Sequence, residues 1–107
     1  VRKLHLLGND VTLEIVDRDD ARLQGSMGKL SHAQQWILLA SMQTREQLES
    51  TALHELIEFA NLQMHLDFSE HVVCCLETAL YAMLSDNDVA LSPLLTSHEG
   101  PSGEEGT

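Results

Sequence analysis

From Arg45 to about His65 the chain contains neither glycine nor proline, and its apolar residues do not keep to one stripe. Leu48, Ala52, Leu53, Leu56, Ile57, Phe59, Ala60, Leu62 and Met64 cover most of the circumference a helix would present. A helix apolar on most sides is buried on most sides, so the rest of the chain has to fold around it. Its start is marked by Thr44 with Gln47 three residues on, a capping-box pattern. With 107 residues in all there is material for one domain with a small core.

Downstream, Asp67-Phe68-Ser69 reads as a turn that supplies Ser69 as a second N-cap. Glu70 and His71 open a helix that runs to about Leu84 or Ser85, with Asn87 just past its end. The short connection predicts that the two helices pack antiparallel. Upstream, residues 11–16 are β-branched and aliphatic and read as a strand. Further strands are expected around residues 27–30 and 36–39, joined by a hairpin loop over 31–35. The expected fold is α+β: a small antiparallel three-stranded sheet followed by two packed helices, occupying residues 1–88. The acidic segment 89–107, with its prolines and glycines, is expected to be a largely disordered tail.

Charge narrows the partners. Six Lys and Arg stand against seventeen Asp and Glu, for a formal net charge of −11, and no Lys or Arg follows Arg45. Such a surface repels a phosphate backbone, which argues against nucleic acid; the acidic excess reads first as solubility, and otherwise as a match for a basic protein or a cation. No run approaches the roughly 18 apolar residues of a membrane span. The basic start meets Gly8-Asn9-Asp10 too early for a signal peptide, and the adjacent Cys74 and Cys75 cannot staple distant parts of a chain. A cytoplasmic setting is expected.

The chemistry lies on the first helix. At about 100° per residue, His54 and Glu58 fall one turn apart on one face, which Asn61 and His65 extend. An imidazole and a carboxylate in apolar surroundings have two explanations, a structural hydrogen bond or a metal held by both. Glu55 beside His54 makes a His-Glu-x-x-ligand pattern, which sets a metal ligand next to a general-base carboxylate. On the second helix Glu70, Cys74, Glu77 and Tyr81 share a face. Antiparallel packing would bring Glu77 to His54 and Glu58, and three protein ligands plus water make an ordinary catalytic zinc arrangement. Glu70 equally suits the plain role of an acid at a helix N-terminus. Cys74 suits that of a small buried hydrophobe, and His32 reads as a solvated loop residue.

The segment Thr51-Ala-Leu-His-Glu-Leu-Ile-Glu58 resembles the active-site helix of small phage and prophage zincins related to the ImmA/IrrE metallopeptidases. The phrase Leu80-Tyr-Ala-Met-Leu-Ser-Asp-Asn87 resembles the end of the helix that follows it in that group, and the likeness extends over about residues 11–88. The resemblance implies a minimal zincin-like fold in which His54 is the first metal ligand and Glu55 the general base. Glu58 stands where the group has its second histidine, Glu77 falls at the third ligand, and Glu70 is a further or alternative ligand. Tyr81 would orient substrate or hydrogen-bond a ligand. Zn²⁺ is the cofactor implied. The histidine-to-glutamate departure leaves a neutral metal site, which shifts preference toward harder ions such as Mn²⁺ or Fe²⁺ and acidifies water less.

Two functions follow as expectations. One is a metal-dependent peptidase of phage or prophage origin acting on a protein or peptide, such as a regulatory protein. The other is a catalytically inactive zincin-like module that binds metal or a protein partner. A peptide substrate would lie along an exposed sheet edge as an added strand, with residues 35–40 as the candidate edge.

Overall fold

The computed structural model describes residues 1–96. In chain order the main elements are strands β1 (Arg2–Leu6), β2 (Asn9–Val16), β3 (Gly28–Ser31) and β4 (Trp36–Ala40), then helices α1 (Arg45–Gln63) and α2 (Glu70–Asp86). Single-turn 3₁₀ helices lie at Ala21–Leu23 and Ser92–Leu95. The α+β class is as expected, but the sheet is four-stranded and mixed rather than three-stranded and antiparallel. Its order is β1-β2-β4-β3, with β2 and β4 parallel and the other two pairings antiparallel.

The strand beyond the expected three is β1, read from sequence only as a basic start. Leu7 and Gly8 take φ of 51° and 85°, the left-handed geometry of a two-residue hairpin turn, and Leu6 pairs with Asn9 across it. The parallel pairing arises because the β3–β4 hairpin places β4, not β3, against β2. Ile37 and Leu39 of β4 join Val11, Leu13, Ala52 and Phe59 in the core beneath α1. Leu38 and Ala40 face the other side, with Val16 and Leu23. A strand buried on both faces carries an unbroken apolar run and sits inside a sheet. Residues 35–40 are therefore not an edge; the edges are β1 and β3.

Helix α1 starts as its sequence predicts. The Thr44 hydroxyl accepts from the Gln47 amide, and the Gln47 side chain accepts in return from the Thr44 amide. Ala52, Leu53, Glu55 and Phe59 are buried. The rest of α1 is half-buried or exposed, with Leu62 52 % exposed, so the expected burial on most sides does not hold. Ser69 caps α2 by accepting from the Val72 amide, and Asn87 ends it. Contacts pair Glu49 with Tyr81, Ser50 with Glu77 and Glu58 with Glu70, the crossed register of antiparallel helices. Between the helices, the Asn61 side chain donates to the Phe68 carbonyl and accepts from its amide, at 3.1 and 2.9 Å.

Past α2 the chain turns back, and Leu94 and Leu95 pack on the main core, so the fold extends beyond residue 88. The rest of the expected tail, residues 97–107, lies outside the described residues. Among the described residues no helix is long and apolar enough to cross a membrane.

Candidate metal centre

The His54 ring sits between α1 and α2 with carboxylates on both sides. Its Nδ1 is 2.9 Å from Oε1 of Glu77. The Ser50 hydroxyl donates to the other oxygen of Glu77 and fixes that carboxylate from one turn earlier on α1. Across the ring, Nε2 is 3.3 Å from Oε2 of Glu70 and 3.7 Å from Oε2 of Glu58. His54, Glu58 and Glu77 thus come together as the spacing predicts, but on two different nitrogens. A carboxylate on Nδ1 fixes the tautomer and tilt of an imidazole whose Nε2 binds a metal. Glu77, expected as a metal ligand, lies on the Nδ1 side of the ring. Glu70, expected as an alternative, stands beside Nε2 with Glu58.

These donors fit a small divalent cation. Ligands about 2.0–2.1 Å from a tetrahedral ion stand roughly 3.3 Å from one another. The Nε2–Glu70 separation of 3.3 Å is already that of a ligand pair, and Glu58 has little distance to close. Burial works against a charged His54, but the hydrogen bond to Glu77 and the charges of Glu55, Glu70 and Glu77 outweigh it and hold its pKa above the ordinary value. Burial first, then a hydrogen bond to Glu70 and that group's charge, raise the Glu58 carboxyl. A proton and a cation would compete for the same Nε2 lone pair.

Glu55 points away from α2, toward β3. It is 8 % exposed, the one buried charged residue among the described residues, and its carboxyl makes no hydrogen bond to any of them. A Cβ on Gly28 would lie 3.0 Å from its Oε2 and 2.5 Å from Cγ2 of Thr51, so only a glycine lets β3 come this close. Burial pushes the Glu55 carboxyl up to about 7, against the pull of the His54 charge. With His54 and Glu58 it lines an open groove between α1 and β3, bordered by Lys29, Leu30 and Leu62.

Tyr81 is not brought to the centre. Its hydroxyl donates to Oε1 of Glu49 at 3.1 Å, and burial together with that bond raises its pKa. Cys74 is exposed rather than buried, with Sγ 3.7 Å from Oε2 of Glu70. Ligand atoms of His54, Glu70 and Cys74 all lie within 4.8 Å of one another. His32 is half-buried, not solvated: Nε2 is 2.8 Å from Oε1 of Gln63, and the ring centroid is 5.0 Å from that of Phe59. Sequence reasoning missed Ser50 and gave Asn61 to the metal face. Ser50 was findable, since it lies four residues before His54 on the same face.

Set against known proteins, the chain matches no family model, no curated protein and no solved structure. The likeness to the ImmA/IrrE group rests on the residues named above.

Proposed function

We propose that the chain is a metal-dependent peptidase of the zincin type, with Nε2 of His54, Glu58 and Glu70 as ligands and Glu55 as general base. The observation that carries this is Glu55, a buried carboxyl with no hydrogen bond to another described residue, held up to about 7 in a groove beside His54. Burying such a group costs the fold stability, and a base poised near neutrality is what water-mediated hydrolysis uses. One imidazole and two carboxylates suit Zn²⁺ and also accept Mn²⁺ or Fe²⁺. When bound, a divalent cation supplies Lewis acidity, acidifying water and polarising a carbonyl.

The chain's own residues do the rest. Glu77 holds the imidazole through Nδ1 and leaves Nε2 for coordination. Glu55 takes a proton from the attacking water and passes it to the departing amine. An extended peptide adds to β3, the sheet edge that borders the groove. Phage origin and a regulatory-protein substrate belong to the same reading, through the ImmA/IrrE resemblance. A second reading, an inactive metal-binding or interaction module, is favoured by the Glu70 side chain, which is 67 % exposed at an open surface.

A peptide-library assay with Zn²⁺ or Mn²⁺ separates the two. The peptidase reading expects cleavage by the natural chain, more by Glu58→His, and none by Glu55→Gln with metal affinity retained. Metal binding without cleavage in both the natural chain and Glu58→His leaves the inactive module. Equal cleavage by Glu55→Gln contradicts the role given to Glu55.

A further inference from the structure

The groove side of His54 accounts for Glu55 and Glu58, but the α2 side presents a donor that the hydrolytic reading does not use. Cys74 lies one helical turn after Glu70 on α2, is exposed, and has its sulfur 3.7 Å from the Glu70 oxygen that is itself 3.3 Å from Nε2 of His54. Two sides of the His54–Glu70–Cys74 triangle thus match the separations within a tetrahedral zinc site, roughly 3.3–3.7 Å, and the third lies within 4.8 Å. The three donors come from both helices and differ in kind, an imidazole, a carboxylate and a thiol, which is a mixed set that suits zinc.

We propose that Cys74 is a thiolate ligand of the cation held by His54, Glu58 and Glu70. The inference rests on the metal centre proposed above. On binding, the S–H bond breaks, the proton passes to solvent and a sulfur–metal bond forms, with no change of oxidation state. With four protein donors, water would enter as a fifth, an expansion that zinc sites allow, so the thiolate slows hydrolysis without abolishing it. A thiolate also favours zinc or cobalt over the harder manganese. Cys75 is a built-in control. It follows Cys74 directly, is equally exposed, and has its sulfur 3.6 Å from Nε2 of His71 instead.

The full chain titrated with Co²⁺ should develop a thiolate-to-metal charge-transfer band, lost in Cys74→Ser and kept in Cys75→Ser. In parallel, site-resolved alkylation by iodoacetamide should slow at Cys74 by roughly tenfold or more when Zn²⁺ is added, because a coordinated sulfur is no longer a free nucleophile. The rate at Cys75 should not change. Cobalt retained on dialysis without the band, or zinc without protection of Cys74, overturns the assignment of Cys74 and leaves the His54 centre standing. Protection of Cys75 in place of Cys74 overturns it too. No retention of either metal overturns both this inference and the centre on which it rests.

Discussion

Of two half-buried histidines, one packs on α1 and the other belongs to it, and their surroundings differ in one respect. His32, on the β3–β4 loop, stacks near Phe59 and meets the neutral amide of Gln63. His54, between the helices, meets Glu77 through one nitrogen and Glu70 and Glu58 through the other. Both rings are half-buried and both are hydrogen-bonded. Around His32 the partners ask for no further charge, and the contact staples a hairpin loop to the end of a helix. Around His54 three carboxylates face one imidazole, a negative surplus that a single proton does not cancel. The hydrogen bond at His32 is that of a staple; the charge surplus at His54 is what the proposed cation would offset.

The largest effect that could sharpen this contrast is a pH dependence confined to the His54 side. The Glu55 carboxyl titrates at about 7 in the folded chain, against an ordinary 4.5. Between those values the unfolded chain gives up a proton that the folded chain keeps, so stability is full below the lower one and falls as pH rises toward the upper. The gap corresponds to about 3 kcal/mol. His54, raised in the fold, acts in the same direction, its contribution being lost as pH rises through its folded value. Urea melts of the metal-free chain at about pH 5 and about pH 8 should show the loss, and Glu55→Gln should remove most of it. Equal stability at both pH values would remove Glu55 from the account.

Next in size is the metal itself. At a free divalent ion concentration of about 100 times Kd, stability should rise by about 2.7 kcal/mol. The gain should vanish in His54→Ala, persist in His32→Ala, and shrink below about pH 5 as the ligands protonate. Thermal melts with Zn²⁺, Mn²⁺ and a chelator measure it. Smaller is the cost of Gly28→Ala, about 1–3 kcal/mol, as the new methyl meets Thr51 and the Glu55 carboxyl. Denaturant midpoints should record that loss whether or not metal is present. Smallest, His32→Ala should cost about 1 kcal/mol through its hydrogen bond to Gln63 and leave metal binding alone. A metal-binding defect in that variant would break the contrast drawn here.

What could be read beforehand was mostly local chemistry. The Thr44–Gln47 capping box, the Ser69 cap and the aliphatic run of β4 each declare themselves within a few residues. β1 did not, because only Leu4 of its five residues is fully buried and the hairpin turn Leu7-Gly8 carries one glycine. The parallel pairing of β2 with β4 depends on a long-range choice that no local pattern records, although the unbroken apolar run of β4 should have marked it as interior. At the centre, turn spacing on α1 correctly grouped His54 with Glu58. The same spacing on α2 carried Tyr81 with Glu70 and Glu77, whereas the antiparallel register takes Tyr81 to Glu49. Which imidazole nitrogen a carboxylate meets is set by ring orientation between two packed helices. Spacing therefore could not tell Glu77 from Glu70.

The central claim is that Nε2 of His54 holds a divalent cation with Glu58 and Glu70, while His32 is only a staple. Calorimetric titration of Zn²⁺ into the natural chain, His54→Ala and His32→Ala tests it most directly. The account predicts a single Zn²⁺ bound by the natural chain and by His32→Ala, and none by His54→Ala. Zinc bound equally by His54→Ala and the natural chain, or not bound by the natural chain at all, would contradict it.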